Sequence, residues 1–232
     1  MSRRLLRHTL DIIGSISNES QVMVVSLALL KSLNSLTDES TLATLYQLAS
    51  NVPADEAIVE IGTYRGASAC WLAAGARAGL GAHVWTIDPH DLPGKRTTTG
   101  RGPGTIDFSA TEIRLDAERQ IKLCGLENHI TMMQGFSTDV AARWTGPKVG
   151  LLFIDGDHRE SAARRDMREW QPHLSHDAVI AWDDYADSHP GVKRAVNGLV
   201  MRNIITEPDV RGRLAITGIV PPHERRLGRI GR

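Results

Sequence analysis

The chain has 232 residues, with 27 basic and 27 acidic side chains and a formal net charge of zero. A chain this long fits one large α/β domain, whose folding buries roughly 70–75% of the unfolded surface without disulfide staples. Balanced charge excludes broad electrostatic capture of nucleic acid or acidic membrane, and 41% apolar residues exclude a disordered chain.

Residues 1–50 read as a helical cap. Val22, Val25, Leu29 and Leu30 form one apolar stripe, and Leu42, Leu45, Leu48 and Ala49 form another, with Asp38 placed to cap the second helix. Such stripes serve as core or as the face of a homodimer, and this segment is also placed to roof a pocket. The longest apolar run, 22–30, falls short of the about 20 residues that cross a bilayer. The basic start MSRRLLRHTL has no small-residue cleavage site, so a soluble, cytoplasmic protein is expected. Cys70 and Cys124 are too few and too scattered for a disulfide framework or a zinc site, and read as buried thiols.

From residue 57, short apolar runs alternate with helical patterns. Strands are expected at 57–61, 83–87, 130–133, 149–154 and 178–182, with helices near 65–78, 112–124, 160–170 and 191–201. Two further strands, 203–206 and 213–220, close a domain spanning 51–222. Near-continuous apolar strands joined by helices indicate a doubly wound, mostly parallel sheet of the Rossmann-like kind. Ligands of such sheets sit beyond the carboxyl ends of the strands. A long Gly-, Pro- and Thr-rich connection (89–111) carries Lys95, Arg96 and Arg101 and reads equally as a binding loop or a surface loop. The tail, 223–232, holds Arg225, Arg226, Arg229 and Arg232 and reads as a solvated end.

Four strand ends carry chemistry. Glu60-Ile61-Gly62-Thr63-Tyr64-Arg65-Gly66-Ala67-Ser68 gives a glycine turn into a helix, where backbone can approach a ligand closely. Asp88 ends the second strand, at a position where a carboxylate accepts ribose hydroxyls. Neither GxGxxG nor GxxxxGK[ST] is present, so the expected cofactor carries a nucleoside without a phosphate chain, and S-adenosylmethionine fits. Asp155, Asp183 and Asp184 follow two strands expected to be neighbours. Converging carboxylates are best neutralised by a hard divalent cation, Mg²⁺ over Zn²⁺. His158, one turn past Asp155, is placed to take a proton from an acceptor hydroxyl.

IVEIGTYRGAS, HVWTID, ITMMQGFS, FIDGDH and AWDD together resemble the class I S-adenosylmethionine methyltransferases, and within them the metal-dependent O-methyltransferases of catechol and macrocin type. The resemblance implies a seven-stranded sheet with its last strand antiparallel. It implies that Glu60, Gly62, Thr63, Tyr64 and Ser68 surround the methionine portion, that Asp88 holds the ribose, and that Gly135 and Ser137 lie by the adenine. Asp155, which also borders the cofactor, matches the Mg²⁺ ligands together with Asp183 and Asp184. His158 stands where catechol-type members carry a lysine, and IDGDH is frequent in relatives acting on sugar hydroxyls. A sugar or glycoside acceptor is therefore expected, whether a polysaccharide such as a methylmannose type or an antibiotic sugar. A phenol or catechol acceptor, a cephalosporin-hydroxylase-like enzyme and a non-catalytic cofactor-binding protein are the alternatives.

Overall fold

The computed structural model describes residues 25–90, 96–98, 107–221 and 223. Val22, Lys95, Arg101 and the four tail arginines named above lie outside the described residues, and Arg96 is described by its backbone alone.

Two helices come first, α1 (Leu27–Ser32) and α2 (Glu39–Ser50). Asp38 does cap α2, accepting from Thr41 N at 3.0 Å. Both helices pack into the apolar cluster of α3 (Ala67–Ala78), through Leu30, Leu42, Leu45 and Ala49. Trp71 of α3 donates its Nε1–H to the Leu30 carbonyl at 3.2 Å. A Cβ on Gly75 would lie 2.2 Å from the Tyr46 carbonyl oxygen, so this residue is what lets α2 and α3 approach so closely. The cap is thereby continuous with one side of the core.

The sheet contains β1 (Ala57–Ile61), β2 (His83–Asp88), β5 (Ile130–Gln134), β6 (Val149–Ile154), β7 (Leu174–Trp182), β8 (Asp209–Arg211) and β9 (Leu214–Gly218). Its order is β5-β2-β1-β6-β7-β9-β8. The first five strands run parallel, and β9 lies antiparallel to β7, with Trp182 opposite Ala215. Every residue of β1 and β6 is buried, as central strands covered on both faces require. Helices α4 (Ala110–Leu123), α5 (Ser137–Ala141), α6 (Glu160–Trp170) and α7 (Pro190–Met201) complete the layers. The expected seven-stranded, doubly wound architecture is therefore present.

Three local expectations need revision. Strand β7 begins at Leu174, four residues before the expected start. The 203–206 stretch contributes only an isolated bridge, Ile205 to Ile219, because Asn203 turns in the left-handed region (φ 54°). The outer strand is instead β8, folded onto β9 across Gly212. Within the long connection after Asp88, β3 (Arg96–Thr98) and β4 (Asp107–Ser109) pair antiparallel.

Candidate active site

The carboxyl ends of β1, β2, β5, β6 and β7 open into a cleft of about 920 Å³. The 34–37 connection between the cap helices lines it too, which fulfils the roofing role open to that segment. Gln120 of α4 fastens this connection down, accepting from Asn34 N at 2.6 Å and donating to the Arg65 carbonyl at 2.5 Å.

The β1–β2 end is shaped by backbone. Gly62 has φ 101°, and a Cβ there would meet the Asp155 carbonyl oxygen at 2.2 Å. The chain then turns through Tyr64 (φ 45°), whose N–H donates to Asp88 Oδ2 at 3.0 Å. Gly66 leads into α3, with Ser68 buried on its first turn. Thr63 and Thr86 share a hydroxyl hydrogen bond of 2.5 Å, and Thr86 also donates to Glu60. Glu60 is fully buried beneath the cleft. Burial pushes its carboxyl up to about 7, against the Ser68 and Thr86 hydroxyls, with the Asp88 charge adding to the rise. His90 Nε2 lies 2.9 Å from the Tyr64 carbonyl and 3.7 Å from Asp88 Oδ1, bracing the turn.

At the β5 end, Gly135 donates its N–H to the Asp88 carbonyl at 3.0 Å, while Phe136 and Ser137 face the cleft. Ser137 Oγ accepts from Trp170 Nε1 at 2.9 Å. Asp166 of α6 lines the same wall.

The β6–β7 end is shaped by charge. Asp155 and Asp183 touch side chain to side chain, and burial raises both. Asp155 goes up furthest, with the neighbouring Asp183 and Glu60 charges adding to burial and Arg213 opposing them. Asp184 is buried at φ 58°. Its Oδ2 meets His158 Nδ1 at 2.7 Å and His189 Nδ1 at 3.3 Å, and its Oδ1 meets the Arg213 guanidinium. The two imidazoles stand edge to face, 4.7 Å apart. Burial holds His158 below its ordinary value, although Asp183 and Asp157 pull it upward. Asp157 itself turns outward onto Arg159, accepting its N–H at 3.0 Å.

Of the residues expected from sequence, Gly62, Thr63, Tyr64, Ser68, Asp88, Ser137, Asp155, His158, Asp183 and Asp184 all line the cleft. Glu60 and Gly135 lie behind its wall and support the residues that do. The three aspartates do not close on one point. Among the described residues, the metal-type donors lying within 4.8 Å of one another are those of His158, Asp184 and His189. The left-handed turn at Asp184 and its three basic partners draw its carboxylate away from the Asp155–Asp183 pair. Sequence reasoning gave no role to His189 or Arg213. Topology could have found Arg213: a strand antiparallel to β7 begins where β7 ends, so residue 213 had to face residue 184. No spacing signal announces His189.

Residues 59–185, more than half the chain, match a family model described as "Methyltransferase domain". The chain belongs to this methyltransferase family. Solved structures agree in fold. An O-methyltransferase from Bacillus cereus in complex with SAH is 16% identical over 86% of this chain and 94% of its own, with a TM-score of 0.62. Cofactor-bound Rv0187 from MTB is 19% identical over 93% and 95%, with a TM-score of 0.61. CalS11, described as a TDP-rhamnose 3'-O-methyltransferase, is 14% identical over 77% of each chain, with a TM-score of 0.53. At such identities the likeness is one of fold. No helix among the described residues is long and apolar enough to cross a membrane.

Proposed function

We propose that this methyltransferase transfers a methyl group from S-adenosylmethionine to a hydroxyl oxygen of a sugar or glycoside, assisted by a divalent cation, Mg²⁺ first among the candidates. The observation that carries the reading is the His158–Asp184 pair at the rim of the acidic cluster, inside the same cleft as the glycine turn. The residues fit both groups. The bare backbone at Gly62 and the Asp88 carboxylate suit a nucleoside with an amino-acid arm. The Asp155–Asp183 contact, with Asp183 Oδ1 buried without a hydrogen-bond partner, suits a cation. Asp155, Asp183 and Asp184 would hold it, with Asp184 exchanging its Arg213 contact.

When bound, the sulfonium supplies an electrophilic methyl carbon, and the cation lowers the pKa of the acceptor hydroxyl. The protein's own share is alignment and proton transfer. Asp184 accepts the Nδ1–H of His158, which fixes the tautomer and leaves Nε2 as the basic nitrogen. Nε2 would take the acceptor's hydroxyl proton, while the carbon–sulfur bond of the donor would break to leave S-adenosylhomocysteine as the thioether product. The cleft walls would orient the acceptor toward the methyl donor and exclude water. A sugar hydroxyl is far less acidic than a phenol, so imidazole alone is a weak partner for it. The sugar reading draws support from the IDGDH sequence and from the fold shared with the rhamnose methyltransferase. Two free, buried cysteines suit the reducing cytoplasm.

A mass-spectrometric screen tests this directly, with S-adenosylmethionine and Mg²⁺ over glycoside and phenol acceptors. Methylated glycosides, lost on chelation and restored by Mg²⁺, are the expected result. Methylation of phenols alone would overturn the sugar assignment, and full turnover in excess chelator would overturn the cation.

A further inference from the structure

Among the described residues, donor atoms of His158, Asp184 and His189 lie within 4.8 Å of one another. The proposed reaction uses His158 and leaves His189 without a task. Both rings bring Nδ1 to the same oxygen, Asp184 Oδ2, at 2.7 and 3.3 Å. The Arg213 guanidinium holds the other oxygen, Oδ1.

The backbone builds this meeting. Asp184 turns at φ 58°, its carbonyl accepts from Ala186 N at 2.7 Å, and the Ala186 carbonyl accepts from His189 N at 3.0 Å. These two bonds fold residues 184–189 back on themselves, so His189 returns to the carboxylate. Gly191 sets the other approach, because a Cβ there would lie 2.3 Å from the His158 carbonyl oxygen. Bare backbone at the start of α7 therefore lets the two imidazoles stand edge to face. Asp184 is buried and both imidazoles are part-exposed, which leaves an ion a path in and a place for water beside it.

Two imidazole nitrogens and one carboxylate, with a fourth position open, are a donor set for a borderline divalent ion, Zn²⁺ before Mg²⁺. Ligand atoms about 2.0–2.1 Å from a tetrahedral ion stand about 3.3 Å apart, so small side-chain shifts admit one. Arg213 on the far oxygen keeps the carboxylate oriented for it.

We infer that His158, His189 and Asp184 form a site for a Zn²⁺-class ion, distinct in its nitrogen donors from the proposed Mg²⁺ site, and that its occupancy silences the base. With the ion on His158 Nδ1, the neutral ring carries its single N–H on Nε2 instead. The ring's proton count is unchanged, but the nitrogen that was basic becomes a donor. The silencing rests on the reading of His158 as the base; the metal site does not.

The test is calorimetric titration of Zn²⁺ and Mg²⁺ into the full chain, without cofactor or acceptor, beside the visible spectrum with Co²⁺. Wild type should bind Zn²⁺ about 10²-fold or more tighter than Mg²⁺, and Co²⁺ should show the intense band of a four-coordinate site. His189→Ala should weaken Zn²⁺ by about 10–100-fold and leave Mg²⁺ within about 3-fold. Equal wild-type affinities, or the weak Co²⁺ spectrum of a six-coordinate all-oxygen site, overturn the metal site without any variant. Unchanged Zn²⁺ affinity in His189→Ala overturns it as well. With a glycoside that the acceptor screen shows to be methylated, Zn²⁺ at about tenfold above its Kd in saturating Mg²⁺ should lower turnover by about 10-fold. Full turnover at that occupancy overturns the silencing. Failure of every acceptor would instead refute the methyl-transfer reading, while the titrations still decide the metal site.

Discussion

The two ends of the cleft are built from different materials. At β1 and β2 the surface is backbone, shaped by positive φ at Gly62, Tyr64 and Gly66 and by one main-chain N–H on Asp88. At β6 and β7 it is side-chain charge, with Asp155, Asp183 and Asp184 set against His158, His189 and Arg213. A backbone-built end is specified within one short segment and breaks when a single Cβ is added. A charge-built end is assembled from three distant segments, and each substitution shifts a balance instead of removing a shape. The first end suits a constant ligand, and the second suits chemistry that must respond to a proton.

The sharpest test of the charged end is His158→Ala. General-base loss should lower turnover by about 10²–10⁴-fold, while the affinity for S-adenosylhomocysteine stays within about 3-fold, because the backbone-built end is untouched. Steady-state kinetics beside calorimetry checks both. The pH profile adds a sign. Burial holds His158 below its ordinary value, and a base must be neutral to accept a proton. Turnover should therefore persist to slightly acidic pH and fall only as pH drops through a value below 6.5. A profile whose acid limb lies well above that would remove His158 as the base.

The backbone-built end should break most severely at Gly62→Ala. The added Cβ would lie 2.2 Å from the Asp155 carbonyl at φ 101°, so β1 and β6 would have to part. A stability loss of about 3 kcal/mol or more is expected from denaturant unfolding. A loss below about 1 kcal/mol would show that the turn tolerates a side chain.

Glu60→Gln should act in the opposite direction. Folding raises the Glu60 carboxyl from 4.5 to about 7, so the folded state holds more protons than the unfolded chain between those values. Stability from this group is complete below pH 4.5 and declines as pH rises through 7. The glutamine variant escapes that decline. It should gain about 3 kcal/mol over wild type at pH 8 relative to pH 4. Parallel pH dependences for the two proteins would show that Glu60 does not titrate between folded and unfolded states.

The same contrast explains what could be read from the chain. The sheet was legible because parallel strands buried on both faces leave near-continuous apolar runs, as at 57–61 and 149–154. The backbone-built end was legible because Gly62, Gly66 and Asp88 stand at set distances from strand ends. Asp155, Asp183 and His158 could be placed for the same reason. Arg213 was missed although the antiparallel pairing of the last hairpin with β7 sets it opposite Asp184, and His189 could not be placed, because it reaches Asp184 from a helix cap whose approach depends on tertiary packing. The left-handed turn at Asp184 was equally hidden, since nothing in Trp182-Asp183-Asp184-Tyr185 requires it. Without that turn, the three aspartates read as one group. With it, Asp184 is shared between the proposed cation and the base.

That sharing gives the smallest and most discriminating prediction, on Arg213→Gln. The guanidinium sits on Asp184 Oδ1 and draws down both Asp155 and Asp183, so it occupies part of the field that a cation would fill. Its side chain is 45% exposed, which screens the effect. Removing it should tighten Mg²⁺ or Mn²⁺ binding by several-fold, equivalent to about 1 kcal/mol. Calorimetry of the protein with S-adenosylhomocysteine present reads this without any acceptor. The affinity for S-adenosylhomocysteine itself should not move, because the Gly62–Asp88 end contributes none of this charge. Weaker cation binding in the variant would instead mean that Arg213 organises Asp184 for the ion. The hairpin would then be a built part of the cation site, and the two ends of the cleft would be less different than their materials imply.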